Sequence, residues 1–284
     1  MIQRTFETPG ELRLDLRLPS GRIDVETYDG TQTEVELLAD REDALEHAVV
    51  ELHERGGGHE LLVDVERKKA TGWSAFGINI DIDIGFRSPN YRLRVRCPHG
   101  ANALFKTASA EVHAKGRLRA VDAKTASGEI TLEDVEDTLA VKTASGDVRV
   151  GHVRGHARVQ TVSGDVAVAR VDGDSTLQVV SGDVRLDDAG GAVSAKSVSG
   201  DVWLDAVVEG DVTLTAVSGD LHVGVRRGSR VYVDATSVNG SMDSELELGD
   251  APPSSDGPMV ELRARTVSGD VQVVRAPARE SQPA

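Results

Sequence analysis

The sequence is short of large side chains. Nine aromatic residues make up 3% of 284, and none lies between Phe105 and Trp203. Aromatic rings ordinarily supply much of the buried area of a core, so this stretch must close Val, Leu, Ala and Ile around a thin interior. Cysteine is nearly absent too: Cys97 stands alone, which excludes an intrachain disulfide and removes any need for an oxidising compartment. No run approaches the roughly 18 apolar residues of a spanning helix, and the amino terminus has no apolar signal region. The expectation is a cytoplasmic, soluble chain with no direct membrane span. Basic side chains are outnumbered, 32 Lys and Arg against 47 Asp and Glu, for a formal charge of −15. The longest basic runs, Arg67-Lys68-Lys69 and Arg226-Arg227, carry no interleaved aromatics, so nucleic acid is not expected as a partner.

What the chain does have is a repeat. Thr125-Ala126-Ser127-Gly128-Glu129-Ile130 returns as Thr143-Ala144-Ser145-Gly146-Asp147-Val148 and as Thr161-Val162-Ser163-Gly164-Asp165-Val166. The Ser-Gly-Asp core follows again at Ser181, Ser199, Ser218 and Ser268. A degraded copy begins at Ser109, and Asn239-Gly240-Ser241 stands where another is due. From residue 110 to residue 240 the steps are 18, 18, 18, 18, 18, 19 and 21.

Eighteen residues would also make five helical turns, but a Ser-Gly pair and alternating β-branched residues in every unit favour strand and turn. Counting the glycine as zero, apolar residues fall at positions two, four, seven, eleven, thirteen and sixteen: Val148, Val150, Val153, Ala157, Val159 and Val162 in one unit. The next unit breaks the pattern at Ser175 and closes it at Val180. Positions two, four and seven map onto eleven, thirteen and sixteen, a nine-residue half-period in which each half makes one face. The predicted fold is therefore all-β: a flattened β-solenoid of about 18-residue coils, stacked as parallel strands about 4.8 Å apart.

Pro19-Ser20-Gly21-Arg22-Ile23-Asp24-Val25 looks like an early copy of the unit. A helix is expected over Asp40 to Glu54, capped by Asp40, with Ala44, Ala48, Val49 and Leu52 as its apolar stripe and Gly56-Gly57-Gly58 as its stop. Strands are expected at His59 to Glu66, Ile78 to Ile84 and Tyr91 to Cys97. The organisation reads as entering strands over 1–39, a small α+β insertion or cap over 40–99, regular coils over 100–275 and a disordered tail over 276–284. Within the coils, Ala251 to Pro258 reads as an inserted loop.

Stacking turns repeat positions into columns. Glu129, Asp147, Asp165, Asp183, Asp201, Asp220 and Asp270 form one, in which neighbours would repel by about 1 kcal/mol even in bulk water. Either a ladder of hard cations offsets that or each carboxylate accepts backbone N–H groups in its Ser-Gly-Asp turn; the second is the reading adopted, since the Ca²⁺-binding nonapeptide pattern is missing. His113, Thr131, Arg149, Ala167, Arg185, Trp203 and His222 form an outward column. Its candidate partner face is Arg185, Trp203 and His222, because a Trp on a solvent face can anchor a partner. Outward Lys106, Lys124, Lys142 and Lys196, with Gln160 and Gln178, read as a solvated face.

His152 and His156 have the spacing of a helical metal pair but flank a turn in a strand fold. Asp81 and Asp83 read as edge-strand alternation, Asn239-Gly240-Ser241 as a repeat unit rather than a glycosylation site, and Cys97 as a structural residue without a base. No phosphate loop, nucleophile elbow or zinc spacing is present, so no catalytic, cofactor-binding or metal-ligating residue is assigned and no cofactor is expected.

The recurring Thr-Val-Ser-Gly-Asp-Val, the Pro-Ser-Gly-Arg-Ile-Asp-Val segment and the Arg94-Val95-Arg96-Cys97-Pro98-His99-Gly100 lead-in resemble the bacterial β-strand-repeat family called domain of unknown function 4097, labelled "putative adhesin" and grouped with Toastrack-type domains. The resemblance spans roughly residues 10 to 275. It implies a β-solenoid, no established catalytic residues and an association with envelope-stress systems. The function expected is a non-enzymatic binding or scaffold protein presenting flat faces to a protein partner. The alternative is a self-assembling or adhesin-like structural protein that polymerises through solenoid ends, a homo-oligomer.

Overall fold

The computed structural model describes residues 1–65, 72–75, 78–81, 89–246 and 257–276, in two compact units, Met1–Val150 and Gly151–Ala284. Among the described residues there is no α-helix. The described residues include no helix long and apolar enough to cross a membrane.

Unit 1 contains β1 (Ile2–Glu7), β2 (Leu12–Leu18), β3 (Gly21–Tyr28), β4 (Gln32–Ala39), β5 (Ala48–Arg55), β6 (Gly58–Val65), β7 (Gly72–Ala75), β8 (Ile78–Asp81), β9 (Tyr91–Pro98), β10 (Ala101–Thr107), β11 (Glu111–Thr125), β12 (Ile130–Val135) and β13 (Thr138–Ser145). One face runs β1-β4-β9-β3-β11-β12 and the other β5-β6-β2-β10-β11-β13. All of these pairings are parallel except β1 with β4, β4 with β9 and β5 with β6. β6 and β9 stack on β2 and β3, so they supply the two faces of a coil.

The helix expected over Asp40 to Glu54 is not formed. A single 3₁₀ turn occupies Glu42–Leu45, and Ala48–Arg55 is a strand. The residues that decide this are Val49 and Val50, β-branched and adjacent, followed by the alternation Glu51, Leu52, His53, which suits a strand edge. Gly56 and Gly57, at φ 59° and 89°, make a two-residue hairpin turn with both central residues left-handed, which returns the chain as β6. The described part of the insertion thus holds strands and one 3₁₀ turn but no α-helix. The other strands meet expectation: β6 and β9 overlap their expected spans and β8 begins at Ile78. Asp83 and most of the Ala251 to Pro258 loop lie outside the described residues.

β14 (Val148–Val153) contains the boundary between the units. Unit 2 continues with β15 (His156–Ser163), β16 (Val166–Val171), β17 (Ser175–Ser181), β18 (Val184–Ala189), β19 (Val193–Ser199), β20 (Val202–Val207), β21 (Gly210–Ser218), β22 (Leu221–Val225), β23 (Arg230–Asn239), β24 (Met242–Ser244), β25 (Met259–Ser268) and β26 (Val271–Arg275). Its faces run β15-β17-β19-β21-β25-β23 and β16-β18-β20-β22-β26-β24, parallel throughout. The coils advance one repeat at a time until the end. There β25 and β26, last in the chain, stand between β21/β22 and β23/β24, which makes β23 and β24 the outermost coil.

The core is one ladder of small side chains per inward position. In the unit that starts at Gly164, Val166, Val168, Val171, Ser175, Leu177 and Val179 are all buried. Position fifteen therefore points inward and position sixteen outward, which corrects the sequence reading of Val162 and Val180. Strand alternation from eleven and thirteen continues to fifteen, and Val180, Val198, Val217, Val267 and Val238 are left exposed. At the inward corner two Thr hydroxyls find backbone, Thr161 donating to Ser163 O at 3.2 Å and Thr266 to Gly219 O at 3.1 Å, while that of Thr143 is buried without a partner.

Candidate binding surfaces

The acidic column is built into the turns. Asp183 N–H donates to Asp165 Oδ1 at 2.9 Å, Asp201 N–H to Asp183 Oδ1 at 2.9 Å, and Asp220 N–H to Asp201 Oδ1 at 2.7 Å. Asp270 N–H reaches Asp220 Oδ1 at 2.8 Å, and Ser241 N–H ends the series on Asp270 Oδ1 at 2.7 Å. From Asp165 to Asp270 each carboxylate accepts a peptide N–H, as expected, but the donor belongs to the next coil and not to its own turn, while Glu129 and Asp147 are both bound by Arg149. These charge-assisted bonds tie coil to coil and offset the repulsion along the column. The Ser241 N–H holds the Asp270 carboxyl below its ordinary value of 3.8. A lowered folded value means the contribution is complete above that pH and is lost as acid carries the pH through the folded value.

At the opposite corner the half-period repeats the device. His156 Nδ1 accepts Asp174 N–H at 3.1 Å, and Asp174 Oδ1 accepts Ala192 N–H at 3.1 Å. His152 is engaged separately, Nε2 to Asp172 Oδ2 at 2.8 Å. Burial pushes the Asp172 carboxyl up, but its hydrogen bonds from Arg170 and His152 outweigh that and hold it low. The two histidines thus serve different carboxylates. Among the described residues no three His, Cys, Asp or Glu are grouped as metal ligands.

The ladder makes a measurable claim. Asp201→Ala should cost about 1 kcal/mol in a denaturant melt, because the Asp220 N–H loses its acceptor. Asp201→Asn retains Oδ1 and should melt close to the parent. Equal losses for both would show that charge, not acceptance, is what the column contributes.

Arg185, Trp203 and His222 occupy opposed register positions on β18, β20 and β22, with Gln272 of β26 next in line. Parallel stacking of one repeat position brings them together. Arg185 is held by Asp187, Nε to Oδ1 at 2.8 Å, and by Asp205; these partners raise its pKa. His222 Nδ1 meets Gln272 Oε1 at 3.0 Å. Trp203, half-buried, is left as the large apolar group of a row whose neighbours are pinned.

Two surfaces carry no mark in the spacing as read. The first is the ridge of outward valines Val180, Val198, Val217, Val238 and Val267 in unit 2, recoverable had the alternation been counted through to fifteen. The second is a depression of about 510 Å³ on unit 1. There β9 places Arg94 and Arg96 between acidic strands: Arg94 to Glu36 at 3.5 Å, Arg96 to Glu34 at 3.5 Å and to Glu26 at 3.9 Å. Arg96 also lies 5.0 Å from the Tyr28 ring centroid. Alternating signs neutralise one another here, so the depression offers no net charge to select an ionic ligand.

Lys106, Lys124 and Lys142 fall in opposed register on β10, β11 and β13, with Lys124 3.6 Å from Asp122, while Gln160 donates to Gln178 at 2.9 Å. Cys97 is fully buried on β9, and burial pushes its thiol up to about 12, which fits the structural role expected of it. Asn239 sits in register with Ser268, as a repeat unit would.

A family model described as Toastrack DUF4097 matches residues 13–274. No curated protein matches the sequence. Among solved structures, one from Parabacteroides distasonis ATCC 8503 named "Putative lipid binding protein" aligns with a TM-score of 0.52 at 13% identity, covering 96% of each chain. Another from the same organism, named "putative adhesin", aligns at 0.49 and 12% identity over 95% of this chain and 96% of its own. A third, "putative adhesin (BF0245)" from Bacteroides fragilis NCTC 9343, aligns at 0.41 and 11% identity over 96% of each.

Proposed function

From the premise that the chain belongs to the Toastrack DUF4097 family, we propose that it is a non-enzymatic binding protein that offers a flat, rigid sheet face to a protein partner. The observation that carries this reading is Trp203. A parallel ladder holds it on an outer face between Arg185 and His222, both engaged by fixed neighbours. An amphipathic ring on a surface that does not rearrange keeps the ordering cost of association low. Partially exposed Trp is also the residue type most enriched among binding hot spots. An envelope-stress component, the setting the family resemblance implies, is the partner class we propose.

The test is a pull-down from the source cell with Trp203→Ala beside the parent. The variant should lose at least about 2 kcal/mol of partner affinity, a typical hot-spot loss, while its melting temperature stays within about a degree. An unchanged pull-down would move the interface off this face.

A second reading, self-assembly through a coil end, is favoured by the outermost coil of unit 2. Val233 there faces the core direction yet is 38% exposed, and Met242 is 58% exposed.

A further inference from the structure

In the main sheet, among the described residues, the strand edges without a partner are those of β1 and β5 in unit 1 and of β23 and β24 in unit 2; the separate β7–β8 hairpin of unit 1 is antiparallel. Unpaired edges are templates for another chain unless they are short, charged or covered. Unit 1 manages its edges. β1 and β5 join antiparallel to their neighbours, carry exposed Arg4, Glu7, Glu51, Glu54 and Arg55, and leave Leu37 of β4 and Leu61 of β6 fully buried. β23 does the opposite. It is ten residues long, and Tyr232 at 57% and Val238 at 76% exposure stand on its outer side. Val231, Val233 and Ala235, opposite the buried Val260, Leu262 and Ala264 of β25, stand on its inner side, and the described residues place no further coil over them. The acceptor ladder also stops here, because the last coil has Ser241 where the others have Asp. One more parallel coil would find no carboxylate to take its N–H.

We infer that the edge of β23 is a homodimer interface, at which a second copy of this chain pairs antiparallel about a two-fold axis through Ala235. The inference rests on the self-assembly reading and not on the Trp203 face. Its register follows from the sequence of the strand. With Ala235 opposite its own counterpart, Tyr232 of each copy faces Val238 of the other, which pairs the two most exposed apolar residues of the edge as an aromatic with a β-branched side chain. Asp234 faces Thr236, and no like charges meet. Shifting the axis to Asp234 would set two carboxylates opposite each other. Because such a contact uses the same patch twice, it closes at two copies. Polymerisation would need a complementary parallel edge elsewhere, and the described unpaired edges of unit 1 all have antiparallel neighbours.

The experiment is sedimentation equilibrium of the full chain over a wide concentration range, with Thr236→Asp and Thr236→Lys beside the parent. Both changes are on an exposed position, so the fold should survive, which circular dichroism checks. The parent should fit a monomer–dimer equilibrium. Thr236→Asp, facing Asp234 twice, should weaken the dimer about tenfold or more, and Thr236→Lys should tighten it. Ala235→Cys should give a disulfide-linked dimer on oxidation, since the two introduced thiols meet at the axis and the buried Cys97 cannot compete. Trp203→Ala should leave all of this unchanged, which separates the dimer from the partner face. A chain that stays monomeric throughout, growth beyond two copies, the same response to Asp and Lys, or no cross-link in a dimer would each overturn the inference.

Discussion

Val166→Asp is expected to unfold the coils around it. Val166 opens β16 at position two of its repeat, is 1% exposed, and stands opposite Val184 in the parallel register. Its neighbours along the inner column are all Val or Leu, so a carboxylate there finds neither a hydrogen-bond donor nor a counter-charge. An unpartnered buried charge costs several kcal/mol even after the group takes up a proton, against a total of about 5–15 kcal/mol for a domain. The cost should spread, because each coil is ordered mainly by the coils beside it. The control lies on the ridge. Val198→Asp changes an exposed position-sixteen residue and should shift stability by no more than about 0.5 kcal/mol. Thermal melts of the two variants decide between the inward assignments. If Val198→Asp were as damaging as Val166→Asp, position sixteen would be part of the core after all.

That contrast also locates where the sequence is readable. The 18-residue period, the strand character and the thin apolar core follow from Ser-Gly-Asp recurring with alternating β-branched residues, since every copy must repeat the same backbone to stack. Position sixteen misleads for a specific reason. Val162 and Val180 are apolar and complete a nine-residue symmetry, whereas the true inward residue, at fifteen, is often polar: Thr125, Thr143, Thr161 and Ser197. Hydrophobicity points to the wrong neighbour because a small hydroxyl side chain fits the corner, satisfied by the turn at Thr125 and Thr161 and without a partner at Thr143 and Ser197.

The segment at 40–54 misleads differently. Ala44, Ala48 and Leu52 recur every four residues, while Val50 and Leu52 against Glu51 and His53 alternate; the β-branched Val49 and Val50 together with the pairing to β6 select the strand. Spatial order is not legible either. Nothing in spacing says that β6 and β9 stack outside β2 and β3, or that β25 enters between β21 and β23. Identical repeats carry register but no order. For the same reason the row Arg185, Trp203, His222 can be read directly, being one repeat position, while the open edge of β23 cannot.

Gly200→Ala should be almost as damaging as the core charge, although glycine-to-alanine changes in permissive sites usually stabilise by about 0.4–1 kcal/mol through the unfolded chain. Two observations reverse the sign. Gly200 has φ +135°, in a region L side chains rarely adopt, which alone costs about 1–3 kcal/mol. A Cβ there would also lie 2.1 Å from the carbonyl oxygen of Gly182 and 2.6 Å from its carbon. Both obstacles are backbone, so no rotamer change relieves them. Relief requires the coils to part at this corner, and parting them lengthens the Gly182 N–H to Ser199 O bond of 3.0 Å and the Asp201 N–H to Asp183 Oδ1 bond of 2.9 Å. Asn, which tolerates the ordinary left-handed conformation, should rescue nothing, because the clash remains. The expected loss for Ala is more than about 3 kcal/mol in a denaturant melt, with Gly228→Ala as the comparison: that glycine is also left-handed, at φ +92°, but has nothing within 4 Å of the added carbon. It should therefore show the conformational cost alone. If the two variants lost the same stability, close stacking of one glycine on the next would not be what sets the Ser-Gly-Asp repeat.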